Sequence, residues 1–291
     1  MILNFLILKE EWRMKDKGFK YKKGFGQNFL TDPKICKKII DKAKIDGGVV
    51  LEIGPGSGIL TNELLNVAEK VIAVEKDRDL IPILKEKFKD IKNFELVNED
   101  FLRLDLKKIV EENKNFKEFR ICANLPYYIT SPAVVKILSS KLEIKTTTLM
   151  LQKEVAKRFV AKKGDSNYGS ISVFVQYFSE PEILFNVLRG SFFPAPNVDS
   201  AVINLKKKAL NKTVEDEEFF FEVVRTCFSQ KRKKILNPLY EKFKVLEEIS
   251  KKELEEILKG LGMENKRAQE LSLDEYIFLS NRLYKKFKNI I

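Results

Sequence analysis

Short apolar runs alternate with stretches of helical spacing from residue 49 to residue 151, and no other feature constrains the fold as much. The runs fall at 49–53, 71–74, 94–97, 120–123 and 147–151, each too short for a helix and all but the last rich in Val, Ile, Leu or Ala. A strand covered on both faces loses the polar alternation of a half-exposed one. With helical segments such as 59–65 and 80–88 between them, five such runs predict a mostly parallel sheet between two layers of helices, an α/β fold. The segments 171–178 and 201–205 are expected to be later strands of that sheet. Ahead of it, Thr31 or Asp32 caps a helix that starts at Pro33 and runs to Ala43.

Beyond Lys206-Lys207-Lys208 the pattern changes to helical runs at 219–228, 251–259 and 273–287, with no convincing strand. The expected division is an N-terminal extension over 1–22, a first domain over 23–208 and a small all-helical C-terminal domain over 209–291. The alternative is that these helices complete the outer layer of the first domain. The extension is expected to be disordered or partly a mistaken start, because Met14 precedes the polar, basic stretch that leads into the first motif.

Composition removes several chemistries. Histidine is absent, which excludes Ser-His-Asp and Cys-His catalysis and histidine-based zinc sites, and no metal is expected. The three cysteines, Cys36, Cys122 and Cys227, are odd in number and widely spaced, which argues against a disulfide framework and for a reducing, cytoplasmic compartment. The apolar opening, 1–8, has no basic region before it and no small-residue cleavage site after it, so it does not read as a signal peptide. No apolar run approaches the roughly 18 residues of a membrane span. Lys and Arg exceed Asp and Glu by 54 to 42, a net charge of +12 that favours a polyanionic partner or simply serves solubility.

The segment Gly54-Pro55-Gly56-Ser57-Gly58 joins the first strand to a helix, where an open α/β sheet presents a cofactor. A dinucleotide fingerprint would place its third glycine at position 59, which is Ile59. The spacing suits a cofactor without pyrophosphate, commonly S-adenosylmethionine; NAD and a structural turn are the alternatives. Glu75 closes the second strand about 20 residues after Gly54, where a carboxylate can take both hydroxyls of a ribose or sit in a solvated turn. Asp100 follows the third strand, placed to accept from an adenine amine, and Phe101 is placed to pack on the ring.

Asn124-Leu125-Pro126-Tyr127 follows the fourth strand directly. An aromatic amine is a poor nucleophile because its lone pair is delocalised into the ring. Acceptors aimed at its two hydrogens, the Asn124 side-chain carbonyl and the Leu125 backbone carbonyl, would favour a pyramidal nitrogen. Pro126 restricts the backbone that presents Leu125, and Tyr127 can stack on an extruded base. The chemistry expected is direct methyl transfer to N6 of adenine, driven by alignment and fixed dipoles. A proline turn with an exposed tyrosine is the bland alternative.

At this point the chain resembles the ribosomal RNA adenine N6,N6-dimethyltransferase family, in the branch that acts on small-subunit rRNA. The resemblance is carried by Gly26-Gln27-Asn28-Phe29-Leu30, Leu51-Glu52-Ile53-Gly54-Pro55-Gly56, Asn124-Leu125-Pro126-Tyr127-Tyr128-Ile129, Gln152-Lys153-Glu154-Val155-Ala156 and Tyr168-Gly169-Ser170-Ile171-Ser172-Val173. It continues through Phe193-Pro194-Ala195-Pro196-Asn197-Val198-Asp199-Ser200 and Lys231-Arg232-Lys233-Lys234-Ile235-Leu236. It implies a Rossmann-like class I S-adenosylmethionine-dependent methyltransferase fold over 23–208, and a helical C-terminal domain contributing to rRNA binding. It also implies dimethylation of two adjacent adenosines in the 3′-terminal hairpin of small-subunit rRNA, within an immature subunit and by a monomer with no membrane partner.

The resemblance further assigns donor binding to Asn28, Leu30, Gly54, Glu75, Asp100 and Asn124, and a clamp on the target ring to Phe193 opposite Tyr127, with Phe192 close enough to compete. Lys231, Arg232, Lys233 and Lys234 become candidates for phosphate contact, or the wet face of a helix. Lys231 stands where the family commonly has arginine, the first 14 residues exceed its usual start, and Glu111-Glu112-Asn113-Lys114-Asn115 is an insertion. The competing functions are a large-subunit rRNA adenine methyltransferase of the macrolide-resistance type, a DNA adenine methyltransferase, and a non-catalytic rRNA-binding assembly factor or related mitochondrial transcription factor.

Overall fold

In the computed structural model, which describes residues 28–208, 214–246 and 249–287, the run at 49–53 lies inside a seven-stranded sheet. The expected N-terminal extension, 1–22, lies outside the described residues, as do Gly26 and Gln27. The chain enters through β1 (Phe29–Leu30) and α1 (Pro33–Ala43), and Asp32 caps that helix by accepting the Lys34 N–H at 2.9 Å. There follow β2 (Val49–Ile53), α2 (Ile59–Leu65), β3 (Lys70–Glu75), α3 (Leu80–Lys87), β4 (Phe94–Asn98), α4 (Leu106–Glu112), β5 (Phe119–Asn124), α5 (Thr130–Ser139), β6 (Thr146–Gln152) and α6 (Lys153–Val160). After α7 (Ser170–Phe178) come β7 (Ser179–Val187), β8 (Phe192–Phe193) and β9 (Ser200–Lys207).

The chain divides into two compact units, one of residues 28–156 and 180–207, the other of 157–179 and the described residues from 208 onward. In the first unit the strands run in the order β4-β3-β2-β5-β6-β9-β7. The first five are parallel, and β9 pairs antiparallel with β6. Every residue of β2 is buried, which is why, Glu52 apart, its sequence is apolar without alternation. On one face Cys36, Ile39, Ile40 and Ala43 of α1 pack with Ile59, Leu60 and Leu64 of α2 against Val50 and Val71. Each fully buried Ile or Leu of this kind contributes about 1.5–3 kcal/mol. The strand order reverses between β2 and β5, and a crevice opens there at the carboxyl ends of the strands. β1 is held at that edge by antiparallel pairing with β8, Phe29 opposite Phe193 and Leu30 opposite Phe192.

The segment 171–178 is not a strand of the sheet; it forms α7, in the second unit. Its β-branched residues suggest a strand, but Phe174, Tyr177 and Phe178 fall on one helical face. They meet Phe220 and Phe221 of α8 (Glu217–Ser229), with Phe174–Phe221 at 5.0 Å and Tyr177–Phe220 at 5.1 Å between ring centres. Burial of these rings outweighs local propensity. Ser172 closes the first turn by accepting the Gly169 N–H at 3.0 Å. The strand expected at 201–205 is β9. The rest of the second unit is helical: α8, α9 (Leu236–Phe243), α10 (Lys251–Gly260) and α11 (Leu273–Phe287), with Phe243 stacked on Phe287 at 4.8 Å. The inserted 111–115 segment ends α4, where Asn113 is buried and accepts from Lys70 Nζ at 3.0 Å.

The turn into β2 leaves no room for a side chain. Gly48 has φ of 68°, and a Cβ there would lie 2.4 Å from the Glu118 carbonyl oxygen, which itself accepts the Val49 N–H. Gly48→Ala is therefore expected to lower stability by about 1–3 kcal/mol, read as a shift in urea-unfolding midpoint against the parent chain.

Candidate active site

Parallel strands deliver their carboxyl ends to one edge, so residues far apart in sequence converge. Gly54 follows β2, Glu75 ends β3, Asp100 follows β4 and Asn124 ends β5. Together with Asn28 and Leu30 at β1 they line a single cleft of about 1010 Å³ counting its open mouth. All six residues expected at the donor site are thus brought together.

The glycine loop is fixed by its neighbours. Gly54 N–H donates to the Val74 carbonyl at 2.9 Å, and Glu75 Oε2 accepts the Gly56 N–H at 3.3 Å while its Oε1 accepts that of Asp77 at 2.7 Å. Gly56 has φ of 58°, and a Cβ there would lie 2.8 Å from the Phe29 ring, so only glycine lets the loop close against β1. Glu75 is 7% exposed. Its burial pushes the carboxyl above its ordinary range, against the pull of those two N–H groups.

Five carboxyl groups line the cleft, Glu52, Glu75, Asp77, Glu99 and Asp100, against the single cation Lys76. Lys76 Nζ lies 2.8 Å from Asp100 Oδ2, and the Leu102 N–H donates to Asp100 Oδ1 at 3.0 Å. Burial pushes Asp100 up, but Lys76 and that N–H more than offset it and hold the carboxyl below its usual range. Glu52, 1% exposed in mid-sheet, has an Oε2 with no hydrogen-bond partner among the described residues. A diphosphate would meet repulsion from the other acidic groups at the strand ends, whereas a cationic ligand suits their charge; Glu52, which keeps its proton up to about pH 8, does not add to it. The residues therefore fit S-adenosylmethionine, a sulfonium and ammonium carried on adenosine, better than a dinucleotide. Among the described residues no cluster of metal-ligating side chains occurs.

The 124–127 segment forms the other wall. Asn124 Nδ2 donates to the Asn28 carbonyl at 3.3 Å, which turns Oδ1 the other way as an acceptor. Leu125 is 1% exposed and donates its N–H to the Met150 carbonyl at 3.1 Å, seating the backbone against β6. Pro126 has φ of −55° and ψ of 133°, the extended geometry its ring permits. The Tyr127 hydroxyl is 3.1 Å from Ser200 Oγ, so the half-buried ring is anchored at its far end; burial raises its pKa. Ser200 carries no signal by itself; its place at the start of β9, paired with Gln152, is what brings it here.

Phe192, not Phe193, lines the cleft, and the half-buried Phe193 lies across the ladder from Phe29. Lys231 to Lys234 occupy the turn between α8 and α9 instead of a helix face. Lys231 Nζ donates to the Ser166 carbonyl at 2.6 Å and Lys234 Nζ to Asn265 Oδ1 at 2.8 Å, while Arg232 and Lys233 are exposed. Cys36, Cys122 and Cys227 are buried free thiols. No described helix is long and apolar enough to cross a membrane.

Burial moves the Glu52 carboxyl from 4.5 up to about 8. The folded chain then holds a proton that the unfolded chain releases near 4.5, so this group's contribution is full below that value and is lost as pH rises through about 8. Glu52→Gln keeps the shape without the titration. The variant's melting temperature is expected to gain on the parent's between about pH 5 and about pH 8, checked by thermal melts across that window.

The family model described as ribosomal RNA adenine dimethylase matches residues 18–281. A ribosomal RNA small subunit methyltransferase A of Clostridioides difficile is 44% identical over 266 residues, covering 90% of this chain and 91% of that protein. The protein of the same name from Geobacillus thermodenitrificans is 42% identical over 275 residues, 93% and 94% of the two chains. Among solved structures, a dimethyladenosine transferase from Plasmodium falciparum has a TM-score of 0.73 at 32% identity, covering 90% of this chain and 98% of its own. The 23S rRNA methyltransferase ErmE has a TM-score of 0.64 at 30% identity, covering 88% and 99%. A match that runs from the entry to β1 through the glycine loop and into α11 leads to one conclusion: this chain belongs to the ribosomal RNA adenine dimethylase family, with a Rossmann-like, S-adenosylmethionine-dependent methyltransferase fold.

Proposed function

We propose that the protein transfers methyl groups to N6 of two adjacent adenosines in the 3′-terminal hairpin of small-subunit rRNA, late in assembly of that subunit. The observation that carries the reading is that Asn124, its Nδ2 engaged by the Asn28 carbonyl, and the 124–127 backbone line the same acidic cleft as Gly54, Glu75 and Asp100. S-adenosylmethionine, when bound, supplies an activated methyl on a sulfonium. Glu75 takes the ribose hydroxyls, Asp100 the adenine amine, and Asn28, Leu30 and Gly54 shape the floor and walls. The Asn124 side chain and the Leu125 carbonyl accept the two hydrogens of the target amine. Tyr127 stacks on the extruded base, worth about 1–3 kcal/mol, and Phe192, the ring of the pair that lines the cleft, is the candidate for its other face in place of Phe193. Lys231, Arg232, Lys233 and Lys234 bind rRNA phosphates. The cleft is formed within one chain, which favours a monomer, and the buried free thiols favour a reducing, cytoplasmic setting.

The small-subunit target is favoured by the 42–44% identity to small-subunit methyltransferases, and among solved structures by a TM-score of 0.73 to the dimethyladenosine transferase against 0.64 to ErmE. The test is labelled-methyl transfer to immature small subunits lacking the modification, with large subunits in parallel, followed by nucleotide mapping. Label in the two adjacent adenosines of the small-subunit hairpin is expected. Label in the large subunit alone would replace this reading with the macrolide-resistance one, and binding with no transfer would favour an assembly factor. Asn124→Ala is expected to cut turnover by on the order of 10²-fold or more with an unchanged circular dichroism spectrum.

A further inference from the structure

The loop that carries Asp100 and Phe101 into the cleft is bonded mostly to itself. Asp100 accepts the Leu102 N–H through its side chain at 3.0 Å, and through its carbonyl those of Arg103 at 2.8 Å and Leu104 at 3.0 Å. The loop's first residues are tied to the end of β3 by the Glu99 N–H, which donates to the Glu75 carbonyl at 3.1 Å, and by the Lys76–Asp100 pair at 2.8 Å, while the turn at 102–104 closes on Asp100. Lys136, in the second half of α5, reaches across to it. Its Nζ donates to the Leu102 carbonyl at 3.0 Å and to the Leu104 carbonyl at 2.5 Å, and lies 5.4 Å from the centre of the Phe101 ring. Phe101 is 3% exposed and lines the cleft, so a cation near its ring bears on the wall a ligand meets. Burial pulls the ammonium's pKa down, and Asp100, Asp105 and Glu99 oppose that pull.

α5 follows almost directly on the 124–127 segment. One side chain therefore ties the wall that faces the target amine to the wall that faces the donor's adenine. Lys136 itself is not among the residues lining the cleft. We infer that Lys136 is a positioning residue for donor binding, holding Asp100 and Phe101 at the distance from the glycine loop that an adenine ring requires. This rests on the reading of the cleft as the donor site.

The test uses the full chain with S-adenosylhomocysteine as probe, by isothermal titration calorimetry, and donor KM and kcat on immature small subunits. In Lys136→Met the dissociation constant and the donor KM are expected to rise about tenfold, the loss of charged hydrogen bonds, while kcat at saturating donor stays within about twofold. Lys136→Arg, which can span both carbonyls, restores most of the affinity. Lys136→Gln, keeping one donor, falls between and serves where the methionine variant does not fold. A lower melting temperature with unchanged affinity overturns the inference, as does a fall in kcat with unchanged donor KM. A parent chain that binds no S-adenosylhomocysteine removes the donor-site reading and the inference with it; equal binding by parent and variants removes Lys136 alone.

Discussion

Because β2, β3, β4 and β5 are parallel and in register, their carboxyl ends finish level: Ile53 lies opposite both Val74 and Ala123, and Glu75 opposite Asn98. The cleft depends on that register. A slip of one residue in β3 would turn Glu75 to the opposite face of the sheet and remove both of its bonds, to Gly56 and Asp77. The glycine loop would then lose the carboxylate that closes it. Burial of β2 and β3 on both faces makes such a slip costly, so the stability of the sheet and the placement of the site share one cause.

Charge is distributed against the average. A chain with a net charge of +12 lines its cleft with Glu75, Asp77, Glu99 and Asp100 against one lysine, besides Glu52, which keeps its proton up to about pH 8. A polyanion is drawn to the molecule as a whole, while the cleft itself favours a small cation. Under the proposed function these two preferences would sort donor from target before any specific contact forms. Sequence spacing in the glycine loop had left NAD open as a ligand, and the electrostatics of the folded cleft weigh against it more strongly than the position of a third glycine.

Much of this was legible in the residues, for identifiable reasons. The parallel strands announce themselves because strands covered on both faces, such as β2, β3 and β5, are mostly apolar without alternation, and the cleft residues because they stand at strand ends. The helix α7 was not legible as a helix: its β-branched residues fit either state, and the deciding contacts come from Phe220 and Phe221, more than 40 residues on. Ser200 and Lys136 were missed for a similar reason. Ser200 ends a stretch that carries the family resemblance but was given no role there, and Lys136 stands in no motif; each matters through partners that only the fold supplies, the Tyr127 hydroxyl and the carbonyls of Leu102 and Leu104. Phe192 and Phe193 show the limit of adjacency, since neighbours in a strand point to opposite faces and only one enters the cleft.

The proposed chemistry also has to account for a site with no histidine, and the carboxylates show how. Glu75 is bound by two N–H groups, Asp100 is paired with Lys76, and Glu52 keeps its proton up to about pH 8. None of the three is presented as a base to an incoming amine. Tyr127 is bonded to Ser200 with its pKa raised, which suits a stacking surface better than a proton carrier. In the proposed reaction the groups set against the target are dipoles held by the backbone: the Asn124 amide, bonded to Asn28, and the 124–127 backbone, bonded to Met150. Fixed dipoles need no titration and no reorganisation as the reaction proceeds. A methylated amine that carries its extra proton is acidic enough to lose it to water, so alignment is the task left to the protein, and alignment is what the parallel strand ends provide.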